Sequence, residues 1–127
     1  MKRIASHTLM LTRHALDVLC ATEGLTVYGP GEAENRASLV AFNAAGWNPI
    51  ALAEALNASG IESRGGCHCA TLAHHDLRLE PPASCRLSFY LYNTADEVRY
   101  AVNTLKGIVQ GRKSLAERHT ARARMGI

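Results

Sequence analysis

The segment RGGCHC, residues 64–69, places two thiols and an imidazole behind an arginine and a pair of glycines. Cys69 follows Cys67 and His68 in a loop that also carries Arg64, so positive neighbours could stabilise its thiolate for attack on a substrate. Small buried thiols are also common and are chemically inert. From spacing alone, a catalytic nucleophile and a structural thiol therefore both stay open for Cys69.

A metal site is a further interpretation of the same segment. Its donors would be Cys67, Cys69, His74 and His75, with Cys85 or His68 completing the set. Structural zinc sites usually separate paired cysteines by two to four residues and add a second matched pair. A single residue separates Cys67 from Cys69, so the spacing disfavours a zinc knuckle. It favours His74 and His75 as polar residues of a loop or a helix end.

Arg86 lies in the segment SCRLSFYLYN, residues 84–93, where apolar and polar residues alternate as in a half-buried strand. The alternation predicts that Arg86 faces away from the side that buries Cys85 and Leu87. A guanidinium held on a strand is suited to binding a carboxylate at two points. A salt bridge at the surface or at an interface is the alternative role for this arginine.

The hydrophobic pattern also predicts the elements that must position these residues. They are a helix within 4–21, a hairpin of strands at 25–29 and 38–43, a helix after Asn48–Pro49, a short strand at 61–64, the strand at 84–93 and a helix after the capping box Thr94–Glu97. The order α-β-β-α-β-loop-β-α predicts an α+β fold. We expect a two-layer sandwich in which one small mixed or antiparallel sheet has its helices on one face.

Composition restricts the class of protein. With 127 residues, 47% hydrophobic and 20% charged, the chain is typical of a single folded domain. The basic start is interrupted by Arg13, His14 and Asp17 before an apolar core forms, which predicts neither an export signal nor a membrane span. Four irregularly spaced cysteines do not resemble a disulfide framework, so a cytoplasmic location is expected.

The C-terminal segment is basic. Residues 112–127 contain five Lys/Arg and one acid, Glu117, which predicts a solvated basic helix or tail after a domain of residues 1–111. No aromatic residue is interleaved with these charges, so base stacking has no support and nucleic acid is not an expected partner.

Four segments in order, LTVYGP, SLVAFN, GIESRGGCHCA and CRLSFYLYNTADEV, resemble the carboxyl-terminal small domain of cysteine desulfurases and selenocysteine lyases. These enzymes belong to the class V aminotransferase group of fold-type I pyridoxal-phosphate (PLP) enzymes, and the resemblance spans roughly residues 4–110. It implies that Cys69 is the persulfide-forming cysteine and that Arg86 binds the substrate carboxylate. Arg64 and His68 match loop residues that flank the active site, and Cys67 stands where a second histidine is frequent.

The resemblance also implies what this sequence does not supply. In that family PLP binds to a large domain, and Lys2, Lys106 and Lys113 do not match its imine-forming lysine. We therefore expect a stand-alone or truncated small domain that binds no cofactor by itself and is inactive without a PLP-binding large domain. The alternatives are a non-catalytic sulfur carrier or interaction module that accepts persulfide on Cys69, and a fragment without activity.

The expected partners follow from these hypotheses. They are a large-domain chain or a second copy of this chain, and a sulfur-acceptor protein, with no membrane. Separation from a large domain predicts an exposed apolar surface, for which the first helix is the candidate.

Overall fold

A computed structural model describes the backbone of residues 1–124 and the side chains of residues 1–111. The elements are helix α1 (Lys2–Cys20), strands β1 (Leu25–Tyr28) and β2 (Leu39–Ala44), helix α2 (Pro49–Ala58), strand β3 (Arg64–Gly66), helix α3 (Thr71–Asp76), strand β4 (Ser84–Ser88) and helix α4 (Ala95–Arg124), with a 3-10 turn at Ala33–Asn35. The predicted α+β class is confirmed.

The four strands form one antiparallel sheet in the order β1-β2-β4-β3. The predicted hairpin is the pair β1 and β2, and β4 lies between β2 and β3. Helices α1, α2 and α4 pack on one face of this sheet and share a single hydrophobic core with it. The two-layer arrangement therefore agrees with the sequence prediction.

The core side of the sheet is built by alternate residues of the two central strands. Val40 is opposite Leu87 and Phe42 is opposite Cys85 across the β2–β4 pair. All four side chains are buried, as is Leu52 of α2. Each such side chain contributes roughly 1.5–3 kcal/mol when it leaves water, so this packing fixes which face of β4 remains for polar residues.

Two helices start as the sequence predicts. The Asn48 side chain accepts hydrogen bonds from the backbone N–H groups of Ile50 and Ala51, at 2.9 and 3.4 Å, at the start of α2. At the start of α4, the Thr94 hydroxyl accepts from the Glu97 N–H at 3.2 Å, and the Glu97 carboxylate accepts from the Thr94 N–H at 2.8 Å. These reciprocal bonds form a capping box.

The strand that leads into the cysteine loop differs from its predicted bounds. β3 begins at Arg64, where the predicted strand 61–64 ends, because RGG and not IESR pairs with β4. A Cβ built on Gly65 would lie 2.4 Å from the Pro49 carbonyl oxygen and 2.7 Å from the Ile50 Cα. Only glycine lets β3 lie this close to the first turn of α2.

Two further differences from the predicted elements lie after β3. Helix α3 occupies part of the segment predicted as a loop, and β4 ends at Ser88 and not at residue 93. The side chains of the basic segment 112–127 lie outside the described residues, although the α4 backbone continues to Arg124. In the described part of the chain, no helix has both the length and the apolar character required to cross a membrane.

Candidate functional site

Two arginines stand side by side on the sheet face opposite the helices. Arg64 and Arg86 are direct partners in the β3–β4 register, and Ala41 is the partner of Arg86 on the other side. Arg86 is half-buried and Arg64 is exposed. Among residues 1–111, neither guanidinium has an ion pair or a hydrogen bond to another residue. The sequence placed Arg86 on this face, and the structure adds Arg64 beside it.

A tight turn carries the cysteines immediately after β3. The Ala70 N–H donates to the Cys67 carbonyl at 2.8 Å, and the two central residues, His68 and Cys69, have φ of 52° and 58°. Positive φ at both central positions defines a type I′ turn, which normally uses Gly or Asn. A non-glycine residue in this region costs roughly 1–2 kcal/mol, so the surrounding contacts must hold the turn.

His68 provides the first of these contacts. Its Nε2 lies 2.9 Å from the Ser84 carbonyl oxygen, which can only accept, so Nε2 carries the proton. Burial lowers the pKa of His68, and the positive charges of Arg86 and Arg64 act in the same direction. Its Nδ1 is buried and has no hydrogen-bond partner among the described residues. Burial and the two arginines therefore favour the neutral ring, in which Nδ1 has an unprotonated lone pair.

His74 of α3 provides the second contact, again to Ser84. Its Nδ1 donates to the Ala70 carbonyl at 2.8 Å, so its Nε2 accepts from the Ser84 hydroxyl at 2.9 Å. His74 is 6% exposed and Ser84 is 2% exposed. Ser84 thus holds the cysteine turn through its carbonyl and α3 through its hydroxyl. The sequence analysis missed this role, although the alternation around Arg86 already placed Ser84 on the same face.

The thiols of the turn are accessible, whereas the thiol of β4 is not. Cys67 and Cys69 are exposed, and Cys85 lies in the core. Hydrogen bonds from the Cys69 N–H and the Thr71 side chain lower the pKa of Cys67, with a smaller contribution from Arg64. Burial raises the pKa of Cys85 to about 11. Only the turn thiols can therefore meet a substrate on this face.

The metal interpretation finds no support in this arrangement. His74 is already committed to Ala70 and Ser84, and His75 is exposed on α3. Within the described residues, no three or more His, Cys, Asp or Glu side chains are grouped closely enough to hold a metal ion.

Exposed large apolar residues are distributed over several elements. On α1, the predicted surface, Met10 is 45% exposed, whereas Leu11, Leu16 and Leu19 lie in the core. On α3, Leu72 is 81% exposed, and Leu77 directly after it is 53% exposed. After β4, the run Tyr90, Leu91 and Tyr92 is also exposed.

The class V aminotransferase family matches residues 1–100, which contain this α+β fold, the turn and the arginine pair. The chain belongs to this family. Relatives in it include a "Probable cysteine desulfurase" of Halobacterium salinarum, 43% identical over 98 residues, which cover 77% of this chain and 23% of the relative. Another is "Probable cysteine desulfurase 1" of Mycobacterium leprae, 38% identical over 110 residues, which cover 87% of this chain and 17% of the relative.

A solved structure shows the same architecture. The apo cysteine desulfurase of Thermococcus onnurineus NA1 superposes with a TM-score of 0.81 at 29% identity, over 87% of this chain and 27% of that protein. This chain therefore spans less than a third of the length of the proteins that it matches.

The residues described here do not fit PLP by themselves. Lys2 and Lys106 belong to α1 and α4, in the layer on the other side of the sheet from Arg64 and Arg86, and both are exposed. An imine-forming lysine on the arginine side would have to come from polypeptide outside residues 1–111.

Proposed function

We propose that residues 1–111 form the substrate-facing part of a cysteine desulfurase active site, which binds an amino-acid carboxylate and receives the substrate's sulfur on Cys69. The observation that carries the proposal is the direct pairing of Arg64 with Arg86 on the face next to the cysteine turn. Membership of the class V aminotransferase family and the relatives described as cysteine desulfurases support it.

The arginine pair supports carboxylate binding for an electrostatic reason. Two guanidinium groups at directly opposite strand positions repel each other, and no acid of residues 1–111 compensates them. An α-carboxylate would neutralise both and could accept two parallel N–H bonds from Arg86. We propose L-cysteine as the substrate because the relatives carry this activity in their names.

Cys69 is the proposed sulfur acceptor because it is exposed at a central position of the turn. Its thiolate would bond to the substrate sulfur while the carbon–sulfur bond breaks, which leaves alanine once the carbon is protonated. The residues described here provide no group to hold the electron pair on that carbon. A PLP-binding domain outside residues 1–111, in the same or another chain, would supply that group.

A chimaera tests this proposal. Residues 1–111 would replace the matching segment of the Halobacterium salinarum relative, and alanine formed from L-cysteine would be measured with PLP bound. We expect activity in the chimaera, a loss of at least 100-fold in Cys69→Ala and Arg86→Ala, and no loss in the control Cys20→Ser. Full alanine formation in the Cys69→Ala chimaera would show that Cys69 is not the sulfur acceptor.

An assay of the chain without a PLP-binding domain complements the chimaera test. With PLP and L-cysteine, residues 1–127 should form no alanine and should change the cofactor absorbance no more than the same mixture without protein. Turnover that disappears in Cys69→Ala would instead make this chain a complete minimal enzyme and would contradict the need for another domain.

A second candidate function is a non-catalytic sulfur carrier. It is favoured by the exposure of both turn cysteines beside the exposed apolar residues Leu72 and Leu77, which suits contact with another protein. Carriage requires Cys69 but not Arg86, whereas desulfuration requires both. If a persulfide-donor protein loads Arg86→Ala as well as the unchanged chain while the chimaera stays inactive, the carrier function is supported.

A further inference from the structure

Cys67 is a second exposed thiol at the site, and the proposed function gives it no role. It is the first residue of the type I′ turn in which Cys69 is the third. The other two cysteines cannot replace it, since Cys85 is buried in the core and Cys20 ends helix α1 in the opposite layer.

The turn brings Cys67 close to Cys69. Two trans peptide steps limit the separation of their Cα atoms to at most about 7.6 Å, and a turn shortens it towards the disulfide range. Both thiols are exposed at this turn. His68, between them, is fixed to Ser84, which limits the freedom of the turn.

The surroundings of Cys67 also suit a thiolate. The Cys69 amide, the Thr71 side chain and the Arg64 charge all lower the pKa of Cys67. A lower pKa increases the fraction present as the attacking thiolate at neutral pH.

We propose that Cys67 is a resolving thiol that discharges sulfur from Cys69 as hydrosulfide. The inference rests on the proposed role of Cys69 as the sulfur acceptor. The Cys67 thiolate attacks Sγ of the Cys69 persulfide, a Cys67–Cys69 disulfide forms, and the bond to the terminal sulfur breaks with its electron pair leaving as HS⁻. The terminal sulfur is reduced, the Cys67 sulfur is oxidised, the Cys69 sulfur keeps its oxidation state, and no external oxidant is required.

The step defines what must follow it. Before the site can accept another sulfur, a dithiol or two monothiols must reduce the Cys67–Cys69 disulfide. Sulfur therefore leaves this site as inorganic sulfide in a reaction linked to a thiol reductant, and no protein has to dock to take it from Cys69.

The test uses the full chain in a Cys20→Ser background and one equivalent of inorganic polysulfide without air. Cleavage after Arg64 and Arg78 puts both turn cysteines in one peptide, residues 65–78, apart from Cys85. Loading of Cys69 leaves a polysulfide one sulfur shorter, and after loading we expect this peptide to become two hydrogen atoms lighter while one further equivalent of sulfide is released. With Cys67→Ser added, the peptide should keep one extra sulfur on Cys69, and this further release should fall at least ten-fold.

A milder variant controls for a change in the conformation of the turn caused by Cys67→Ser. Thr71→Val keeps both thiols and removes the hydroxyl that lowers the pKa of Cys67, so it should slow sulfide release several-fold without preventing loading. Thr104→Val in α4 is the matched control and should release sulfide at the unchanged rate.

The outcomes separate the two proposals. If Cys67→Ser loads Cys69 but the unchanged chain retains the extra sulfur equally well, the resolving role is wrong and the acceptor role stands. Extra sulfur found on Cys67 without sulfide release would also overturn it. If Cys67→Ser takes up no sulfur on Cys69, the acceptor role fails, and the resolving role fails with it.

Discussion

Arg64 and Arg86 face each other across the β3–β4 pair with no acid of residues 1–111 between them. Like charges at directly opposite positions of an antiparallel pair destabilise a sheet. The fold therefore keeps an unfavourable contact at the position where the proposed substrate carboxylate would bind. This relationship makes the stability of the domain and its anion binding respond in opposite directions to the same substitution.

Arg86→Met should stabilise the domain. Removing one charge of the pair relieves the repulsion, and we expect the free energy of unfolding to rise by about 0.5 kcal/mol at low salt. Urea unfolding at low and high sodium chloride measures this, and the gain should shrink as salt screens the pair.

Arg36→Met is the matched control for that substitution. The Arg36 guanidinium donates to the carbonyls of Tyr28, Pro30 and Leu39 at 2.7, 2.9 and 3.4 Å. Its loss should lower the free energy of unfolding by about 2 kcal/mol. A fall of similar size in Arg86→Met would mean that Arg86 is a structural residue.

Gly65→Ala should strongly destabilise the domain. The added Cβ would overlap the backbone of Pro49 and Ile50, so β3 and α2 must separate, at a cost of about 3 kcal/mol. Thermal unfolding measures the loss. Gly107→Ala in α4 meets nothing within 4 Å and should stabilise by up to about 1 kcal/mol, so equal effects would contradict the proposed close approach.

Ser84→Ala should loosen helix α3, because it removes the hydroxyl and keeps the carbonyl that holds the cysteine turn. It leaves the Nε2 atom of buried His74 without its donor, which costs about 1–3 kcal/mol. Amide hydrogen exchange at His74 and Leu77 should become faster. The control His75→Ala changes an exposed residue of the same helix and should leave these exchange rates unchanged.

The buried thiol of Cys85 should make stability depend on alkaline pH. Its pKa is raised to about 11, whereas an unfolded thiol titrates near about 8.5. Between these values the unfolded chain has lost the proton and the folded chain keeps it, so the free energy of unfolding falls as pH rises. We expect a loss of about 2 kcal/mol by pH 10. In urea unfolding at pH 8 and pH 10, the free energy of unfolding of Cys85→Val should fall by that much less than the free energy of the unchanged chain.

The thiol of Cys67 should show the opposite shift. Because hydrogen bonds lower its pKa, its alkylation by iodoacetamide should persist to lower pH than that of a free thiol, and Thr71→Val should move the profile to higher pH. Peptide mapping over pH 5–9 measures this. An identical profile in Thr71→Val would show that Thr71 does not stabilise the thiolate.

Local patterns explain what the sequence could predict. The alternation around Arg86 fixed its face of β4, and the caps at Asn48 and Thr94 fixed two helix starts, because each signal lies within a few residues of its effect. The family resemblance covered the order of the segments. These features required no knowledge of the register between distant strands.

Long-range register explains what could not be predicted. The partners Arg64 and Arg86 are separated by the whole cysteine loop, and glycine-rich RGG has little strand propensity of its own, so only pairing with β4 defines β3. The role of Ser84 was hidden for the same reason. It depends on the hydrogen bonds that His68 and His74 both make to this one residue of a later strand.

The sheet order has a consequence for how this domain is synthesised. Strand β4 lies between β2 and β3, although it follows both of them in the chain. Until Ser84–Ser88 leaves the ribosome, the hairpin β1–β2 has an unpaired inner edge and β3 has no partner, so such a nascent chain presents strand edges that favour aggregation. The residues that hold the cysteine turn and complete the arginine pair are also the residues that permit the sheet to close.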